Sequence, residues 1–218
     1  MDGPLIRLSD LSFSYDSARP VLRGLSLELQ EGERVGIIGA NGCGKTTLLH
    51  LIVGLSKPQA GRIEVFGESR VHEKDFHAVR RKVGLLFQDS DDQLFCPTVA
   101  EDVAFGPLNL GKTRDEARNI VRETLVSLDL TGYEERITHK LSGGEKRLVA
   151  LATVLAMQPR VLLLDEPLTG LDEAHEERIT AILQRLPQEL VVVSHDRKFL
   201  EAITGRVWKI EEGRLEQF

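Results

Sequence analysis

The pattern of apolar and polar residues predicts an α/β chain that begins with antiparallel strands. Apolar and polar residues alternate over residues 4–30, which is typical of paired strands joined by a turn at 16–20. An unbroken apolar run at 35–39 predicts a strand buried on both faces, and helical periodicity follows it over 45–53. Further strands are predicted at 62–66 and 83–87.

The pattern changes to helical over residues 97–157 and then returns to strands. The predicted helices there are capped by Thr98, Thr113 and Ser142 and reach Phe105, Leu128 and Met157, respectively. Strands at 161–164 and 190–193, a helix at 173–186 and a terminal hairpin over 206–218 follow. We therefore predict one domain over 1–218, with an α/β core at about 1–96 and 158–218, an N-terminal antiparallel β-subdomain and an inserted helical lobe at about 97–157.

Composition and charge narrow the class of protein. The 218-residue chain has a net charge of −6 with both signs interspersed, so no basic face is indicated and no nucleic-acid partner is expected. Two cysteines outside any paired motif favour a reducing compartment. With no signal sequence and only short apolar runs, we expect that the chain does not enter a membrane by itself, although it could dock on one.

A glycine-rich segment, Gly-Ala-Asn-Gly-Cys-Gly-Lys-Thr at residues 39–46, has the pattern of a phosphate loop. It follows a predicted buried strand and opens a predicted helix, so backbone amides and the helix dipole converge on an anion. We expect Lys45 to reach the β- and γ-phosphates and Thr46 to bind Mg²⁺. The predicted core is thus that of a P-loop nucleotide hydrolase.

We also expect Lys45 and the helix N-terminus to favour a Cys43 thiolate that maleimides attack unless Mg-ATP protects it.

Two acids end the apolar strand at 161–164. Asp165 can hold the Mg²⁺ shell, and Glu166 can polarise an attacking water; the alternative is a pair of acids that caps the Pro167 turn. The phosphate loop favours the first interpretation. Because the chain lacks an Asn-Lys-x-Asp motif for guanine, an adenine nucleotide is preferred.

The segment Leu-Ser-Gly-Gly-Glu at 141–145 gives these motifs their context. Its order and spacing relative to the phosphate loop, to 162–166 and to His195 resemble those of the ATP-binding cassette (ABC) ATPases over nearly the whole chain. The resemblance implies catalytic roles for Glu166, His195 and Lys45, and Mg²⁺ ligation by Thr46, Gln88 and Asp165. The implied ATP-binding residues are Tyr15, Gly39, Ala40, Asn41, Gly42, Cys43, Gly44, Lys45, Thr46, Thr47, Gln88, Ser142, Gly143, Gly144, Glu145 and Asp172.

The resemblance also implies individual roles and a dimer. Tyr15 would stack on adenine, with a half-buried strand residue as the alternative, and Gln88 would touch Mg²⁺ and a membrane partner. His195 would contact the γ-phosphate. The segment at 142–144 would bind ATP held by an opposite subunit, and Asp172 would communicate across that interface. We therefore expect a second cassette, identical or homologous, as a partner.

Residues 87–107 resemble the ATPase subunits of energy-coupling-factor (ECF) transporters, particularly cobalt and nickel importers. There a short helix after the glutamine meets a membrane scaffold protein. The resemblance therefore implies integral scaffold and substrate-binding subunits as partners, and a peripheral location at the cytoplasmic face of the cell membrane. Leu94 and Phe95, rimmed by acids at 89, 91 and 92, fit a partner helix that carries arginines; the alternative is a turn with both side chains packed inward.

Other readings stay open at this point. Many ATPases of that group carry an additional C-terminal domain that supports dimer contacts, whereas this chain ends soon after the hairpin, at Phe218. Either dimerisation relies on the cassette faces and membrane partners, or the chain belongs to a short-form branch. The alternatives are a soluble cassette protein that acts on ribosomes, DNA or iron–sulfur assembly, or the ATPase of another transporter class. A vitamin or another small solute is an alternative cargo.

Overall fold

The computed structural model describes residues 3–16 and 20–218, and its elements alternate as the α/β prediction requires. In chain order they are β1 (Ile6–Ser14), β2 (Pro20–Leu29), β3 (Arg34–Ile38), α1 (Lys45–Ile52), β4 (Ala60–Val65), β5 (Glu68–Ser69), α2 (Glu73–Arg80), β6 (Val83–Leu86), α3 (Val99–Asn109), α4 (Arg114–Ser127), α5 (Gly143–Leu155), β7 (Val161–Asp165), α6 (Glu173–Arg185), β8 (Glu189–Ser194), α7 (Arg197–Ile203), β9 (Arg206–Glu211) and β10 (Arg214–Gln217). Short 3₁₀ helices lie at Ser90–Asp92 and Thr138–Lys140.

The chain divides into two compact units, the first of which contains residues 1–85, 161–166 and 187–218. A four-stranded antiparallel sheet has the order β2-β1-β4-β5, and the register pairs Ile6 with Leu29 and with Val65. The six-stranded sheet has the order β10-β9-β3-β8-β7-β6. Strand β3 pairs in parallel with both β8 and β9, and its Val35 and Ile37 are fully buried. The predicted N-terminal antiparallel sheet and α/β core are thereby confirmed.

The second unit contains residues 86–160 and 167–186 and is mainly helical. Its helices α3, α4 and α5 begin at the three predicted caps, and each cap is a capping box in which a glutamate three residues on binds back to the cap amide. Helix α3 runs to Asn109, so the predicted end at Phe105 is wrong. Gly106 lies inside this helix, and Met157 packs where a side chain at 106 would be, with its Cγ 2.5 Å from an ideal Cβ.

Several elements were not predicted from the sequence. Helix α2 buries only Phe76 and Val79, and α7 has seven residues, so neither shows a clear apolar period. The predicted turn at 16–20 lies partly outside the described residues. In the part of the chain that is described, no helix is long and apolar enough to cross a membrane. The assignment of the whole chain to one domain stays a prediction.

Candidate active site

The phosphate loop connects β3 to α1 within the first unit, as predicted. Gly44 is the N-cap of α1 and has φ 108°, a conformation that side chains disfavour. An ideal Cβ on Gly44 would stand 2.8 Å from Cδ2 of Leu22 and 3.0 Å from Cγ1 of Val21, so strand β2 approaches the loop closely. A glycine is therefore required here both by the backbone angle and by the packing.

Lys45 is the cation at the centre of the loop, and only 6% of it is exposed. Its Nζ donates to the carbonyl oxygens of Gly39, at 2.8 Å, and Ala40, at 3.2 Å. The same nitrogen lies 3.3 Å from Oε1 of Glu166, which is equally buried. Burial of both charges strengthens their attraction, because little water screens the pair.

Glu166 is held from the opposite side by His195. Its Oε2 accepts from the His195 amide at 3.2 Å and lies 2.8 Å from Nδ1 of that imidazole. The Glu166 backbone has φ 43°, a strained value for a non-glycine residue, and its amide donates to the carbonyl of Val193 at 2.9 Å. The three residues predicted to be catalytic therefore meet: one glutamate lies between a lysine and a histidine.

Asp165 ends β7 as predicted and is 3% exposed. Burial raises the pKa of its carboxyl group, and a hydrogen bond with the Thr46 side chain opposes that shift. A hydroxyl and a carboxylate are hard oxygen ligands, so the donor set of Thr46 and Asp165 fits Mg²⁺. Among the described residues, no group of three or more His, Cys, Asp and Glu side chains could hold a metal ion.

Tyr15 follows the last residue of β1, and 69% of it is exposed. Its hydroxyl lies 3.0 Å from Oγ1 of Thr47, and its ring meets Phe13 edge-on at 4.9 Å. The alternative of a half-buried strand residue is wrong. The exposed ring is held beside the phosphate loop, so stacking on adenine stays a prediction that the geometry permits.

The expected Cys43 thiolate is contradicted. Burial is the largest influence on this thiol and raises its pKa, and it outweighs the opposing effect of Lys45. Lys45 is already neutralised by Glu166 and by two carbonyl oxygens, so it has less charge to offer the sulfur. A nearby cation and a helix N-terminus therefore do not lower the pKa of this thiol, because burial outweighs them.

The predicted signature residues lie in the second unit, where Ser142 is the N-cap of α5. Glu145 completes the cap: its carboxylate accepts from the Ser142 amide at 2.9 Å, from Tyr133 Oη at 2.8 Å and from Arg136 Nη1 at 2.8 Å. These donors lower the pKa of Glu145 to about 2, with the Ser142 amide first among them. Glycines 143 and 144 are the first two residues of the helix.

Asp172 is the N-cap of α6, in the same unit. Its Oδ1 accepts from the His175 amide at 3.0 Å, and both its carboxylate oxygens lie 2.9 Å from Nδ1 of the His175 ring. These bonds lower the pKa of Asp172. The predicted site residues thus fall into two groups, one in each unit.

Comparison with known proteins decides the family. The model of the ABC transporter family matches residues 22–169. The chain belongs to this family. The prediction of an ATP-binding, ATP-hydrolysing enzyme coupled to transport is thereby confirmed.

Individual relatives agree with this family. The cassette is 46% identical to the energy-coupling factor transporter ATP-binding protein EcfA of Methanothermobacter thermautotrophicus, over 97% of this chain and 69% of the relative. It is 44% identical to the cobalt import ATP-binding protein CbiO of Rhodobacter capsulatus, over 97% and 77%. A solved dimeric cassette in a post-hydrolysis state with ADP and phosphate shares 28% identity and a TM-score of 0.88, with 97% of each chain covered.

Two residues of the cassette were missed by the sequence reasoning. Arg147 on α5 is 2% exposed; its Nη1 donates to the carbonyl oxygens of Phe87 and, at 3.2 Å, of Gln88, and its Nε donates to that of Pro167 at 2.8 Å. Gln93 accepts from the Phe87 amide at 3.1 Å and donates to the Ala150 carbonyl oxygen at 2.8 Å. The available signal for Arg147 was an arginine inside an apolar helical run, whereas the sequence offered no signal for Gln93.

The segment after Gln88 forms the predicted short helix, as a 3₁₀ turn. Phe95 is 65% exposed, so the alternative in which it packs inward is wrong. Its ring meets that of Phe105 edge-on at 4.9 Å, and the Asp102 carboxylate fixes the loop by accepting from the Phe95 amide at 3.1 Å. Beside this aromatic pair, a groove of about 760 Å³ is lined by residues of α3 and α4. We call the exposed pair and this groove the docking face.

Proposed function

We propose that the cassette is the ATPase of an ECF-type importer. The relatives named EcfA and CbiO support this type, and CbiO supports cobalt, or the chemically similar nickel, as the transported ion. The observation that carries the catalytic part is the buried arrangement of Glu166 between Lys45 and His195. The docking face supports the transport part.

Each catalytic residue has a defined task in this proposal. Lys45 turns from the loop carbonyl oxygens to the β- and γ-phosphates of ATP. Glu166 orients the water that attacks the γ-phosphate, and His195 contacts that phosphate while it holds the glutamate. The rate advantage comes from positioning and from stabilisation of charge, since phosphoryl transfer needs little covalent participation by the protein.

Thr46 and Asp165 would hold the Mg²⁺ ion, and the ligand role implied for Gln88 stays a prediction. When bound, the ion neutralises developing charge on the phosphate oxygens. Within the chain, the hydrogen bond between Thr46 and Asp165 sets the hydroxyl and the carboxylate side by side before any ligand arrives. Tyr15 supplies an exposed ring for the adenine base.

Two cassettes act together. Residues 142–144, with Glu145 supporting them, bind the nucleotide on the phosphate loop of the partner, while Asp172 contacts that partner. The exposed Ser142 and Gly143 are suited to such a contact. The structural relative with ADP and phosphate is dimeric, which supports this assembly.

The docking face receives a helix of an integral membrane scaffold subunit, which holds the cassette at the inner face of the membrane. Phe95 and Phe105 offer an exposed apolar anchor, and Asp89 and Asp92 are exposed acids on the neighbouring turn. Asp91 is already paired with Lys146, at 2.6 Å, so it is less available to arginines of the partner. An apolar contact with an acidic rim suits an amphipathic, basic helix.

The proposal is tested by affinity capture of the tagged chain from gently solubilised native membranes, with mass spectrometry of retained proteins. We expect recovery of a small membrane scaffold protein and a substrate-binding membrane subunit. Phe95→Ser should abolish that recovery, whereas the matched control Leu55→Ser, at a 53% exposed apolar residue of the first unit, should not. Recovery of soluble proteins alone by the parent chain would overturn the transporter assignment and leave the ATPase chemistry intact.

A further inference from the structure

The ring of His175 lies against the second signature glycine. An ideal Cβ on Gly144 would stand 2.5 Å from Nε2 of His175 and nearer still to Cγ and Cδ2 of the ring. No real Cβ tolerates such distances, so the imidazole occupies the space that a side chain at Gly144 would need. Gly144 is buried, and His175 has 26% of its side chain exposed.

The same ring is held on its other side by Asp172. Both carboxylate oxygens of Asp172 lie 2.9 Å from Nδ1, and this carboxylate also caps α6 through the His175 amide. The ring therefore has little freedom to move away from Gly144. One side of the imidazole contacts the start of α5, and the other binds the cap of α6.

We infer that His175 is a positioning residue that couples the Asp172 loop to the signature glycines within one chain. The inference rests on the proposed dimer, in which both segments serve the partner. When the partner displaces or binds Asp172, the ring shifts with the carboxylate and moves the backbone at Gly144. Formation of the two contacts with the partner is thereby concerted.

Two substitutions separate the two sides of the ring. His175→Asn can retain a donor toward Asp172 but lacks the ring atoms that contact Gly144. His175→Phe retains a ring of similar width against Gly144 but cannot bind Asp172. His77→Ala is the control, because it removes a histidine that is 71% exposed on α2 of the other unit.

Dimerisation is measured by light scattering with Mg-ATP in chains that also carry Glu166→Gln, which slows hydrolysis. We expect both His175 substitutions to raise the dimer dissociation constant at least about tenfold, a coupling of about 1.4 kcal/mol. The affinity of the monomer for a fluorescent ATP analogue and the thermal midpoint of unfolding should stay unchanged, whereas a general loss of folding would change both. Normal dimerisation by either substituted chain overturns the inference.

Hydrogen exchange in the nucleotide-free chain gives a readout that needs no dimer. We expect faster exchange at residues 142–146 in His175→Asn, which removes the ring from Gly144, and unchanged exchange in His175→Phe and His77→Ala. A monomeric Glu166→Gln parent would overturn the proposed dimer, and the exchange data would then test the contact between His175 and Gly144 by themselves. Unchanged exchange in His175→Asn overturns that contact whatever the parent does.

Discussion

The phosphate loop and the signature segment each contribute predicted ATP-binding residues, yet they are held in different ways. In the first unit Lys45, Asp165 and Glu166 are nearly inaccessible, Lys45 pairs with Glu166, and Asp165 is bonded to the Thr46 side chain. In the second unit Ser142 and Asp172 are exposed and held by helix caps. Buried charges must be compensated before the ligand arrives, because an unpaired one is costly, whereas capped helix ends can stay open to solvent.

This difference indicates separate tasks. The first group is preorganised, with the Glu166 carboxylate already positioned between Lys45 and His195, as the proposed chemistry requires. The residues of the second group are fixed by helix caps at the surface, so their function depends on what binds there. The following predictions test this contrast in order of expected effect.

The largest effect should come from Glu166→Gln. The amide keeps the size of the side chain but is a poor base, so turnover should fall by about 10³-fold or more, while ATP still binds. Steady-state hydrolysis and equilibrium nucleotide binding measure the two quantities separately. Glu216→Gln on the exposed edge strand β10 is the control and should change neither. Equal loss of binding and turnover in Glu166→Gln would argue against a role confined to chemistry.

Lys45→Met tests whether burial makes the first group interdependent. The substitution leaves Glu166 without its buried cation, so the free energy of unfolding should fall by about 3 kcal/mol, and ATP affinity should drop as well. Arg118→Met removes an ion pair with Asp115 whose side chains are 77% and 87% exposed; chemical denaturation should show a loss below about 1 kcal/mol. Similar losses in the two variants would remove the contrast between buried and exposed pairs.

Acid should weaken the second group through Glu145. Its pKa in the folded chain is about 2, below the ordinary value of about 4.3, so its stabilisation is complete above the ordinary value and is lost as the pH falls toward 2. The stability difference between the parent and Glu145→Gln should therefore shrink from pH 5 to pH 2. Glu116 completes the capping box of α4, where its carboxylate accepts from the amide and the hydroxyl of Thr113, and these bonds lower its pKa. Glu116→Gln should show a smaller change with pH. A pH-independent difference for Glu145 would contradict the assignment.

The smallest effect should be on the reactivity of the two cysteines toward maleimide, and Cys96 should react more slowly than Cys43. Burial raises the pKa of Cys43, and burial with Asp102 raises that of Cys96 to about 11, which leaves about one thiolate in 10⁴ at pH 7. Maleimide labelling followed by mass spectrometry should find Cys43 slower than a free thiol and Cys96 slower still. A faster reaction at Cys43 than at a cysteine in a free peptide would instead support the favoured thiolate that the sequence predicts.

The strands and capped helices could be predicted from the sequence because their signals are local. The alternation in β1 and the serine and threonine caps depend on neighbouring residues only. The end of α3 could not be predicted in this way, since Gly106 and Pro107 are local signals for a helix end and the helix nevertheless runs to Asn109. Tertiary contacts decide such positions.

The composition of the candidate site could be predicted, but its electrostatics could not. Motif spacing located Lys45 and Glu166, yet the ion pair between them, and with it the suppressed Cys43 thiolate, depends on burial. The bonds of Arg147 to Phe87 and Gln88, and of Gln93 to Ala150 and Thr153, join residues 57 to 60 positions apart, which no local pattern encodes.

Arg147 has a practical consequence. Its guanidinium ties the signature helix to the backbone around Gln88 and Pro167, and Gln93 adds a second tie from the same helix to Phe87. We expect these segments to move together as one part of the second unit. An antibody fragment or a small molecule bound to the docking face should therefore restrain the signature helix too, and slow hydrolysis from a surface that contains none of the phosphate-loop residues.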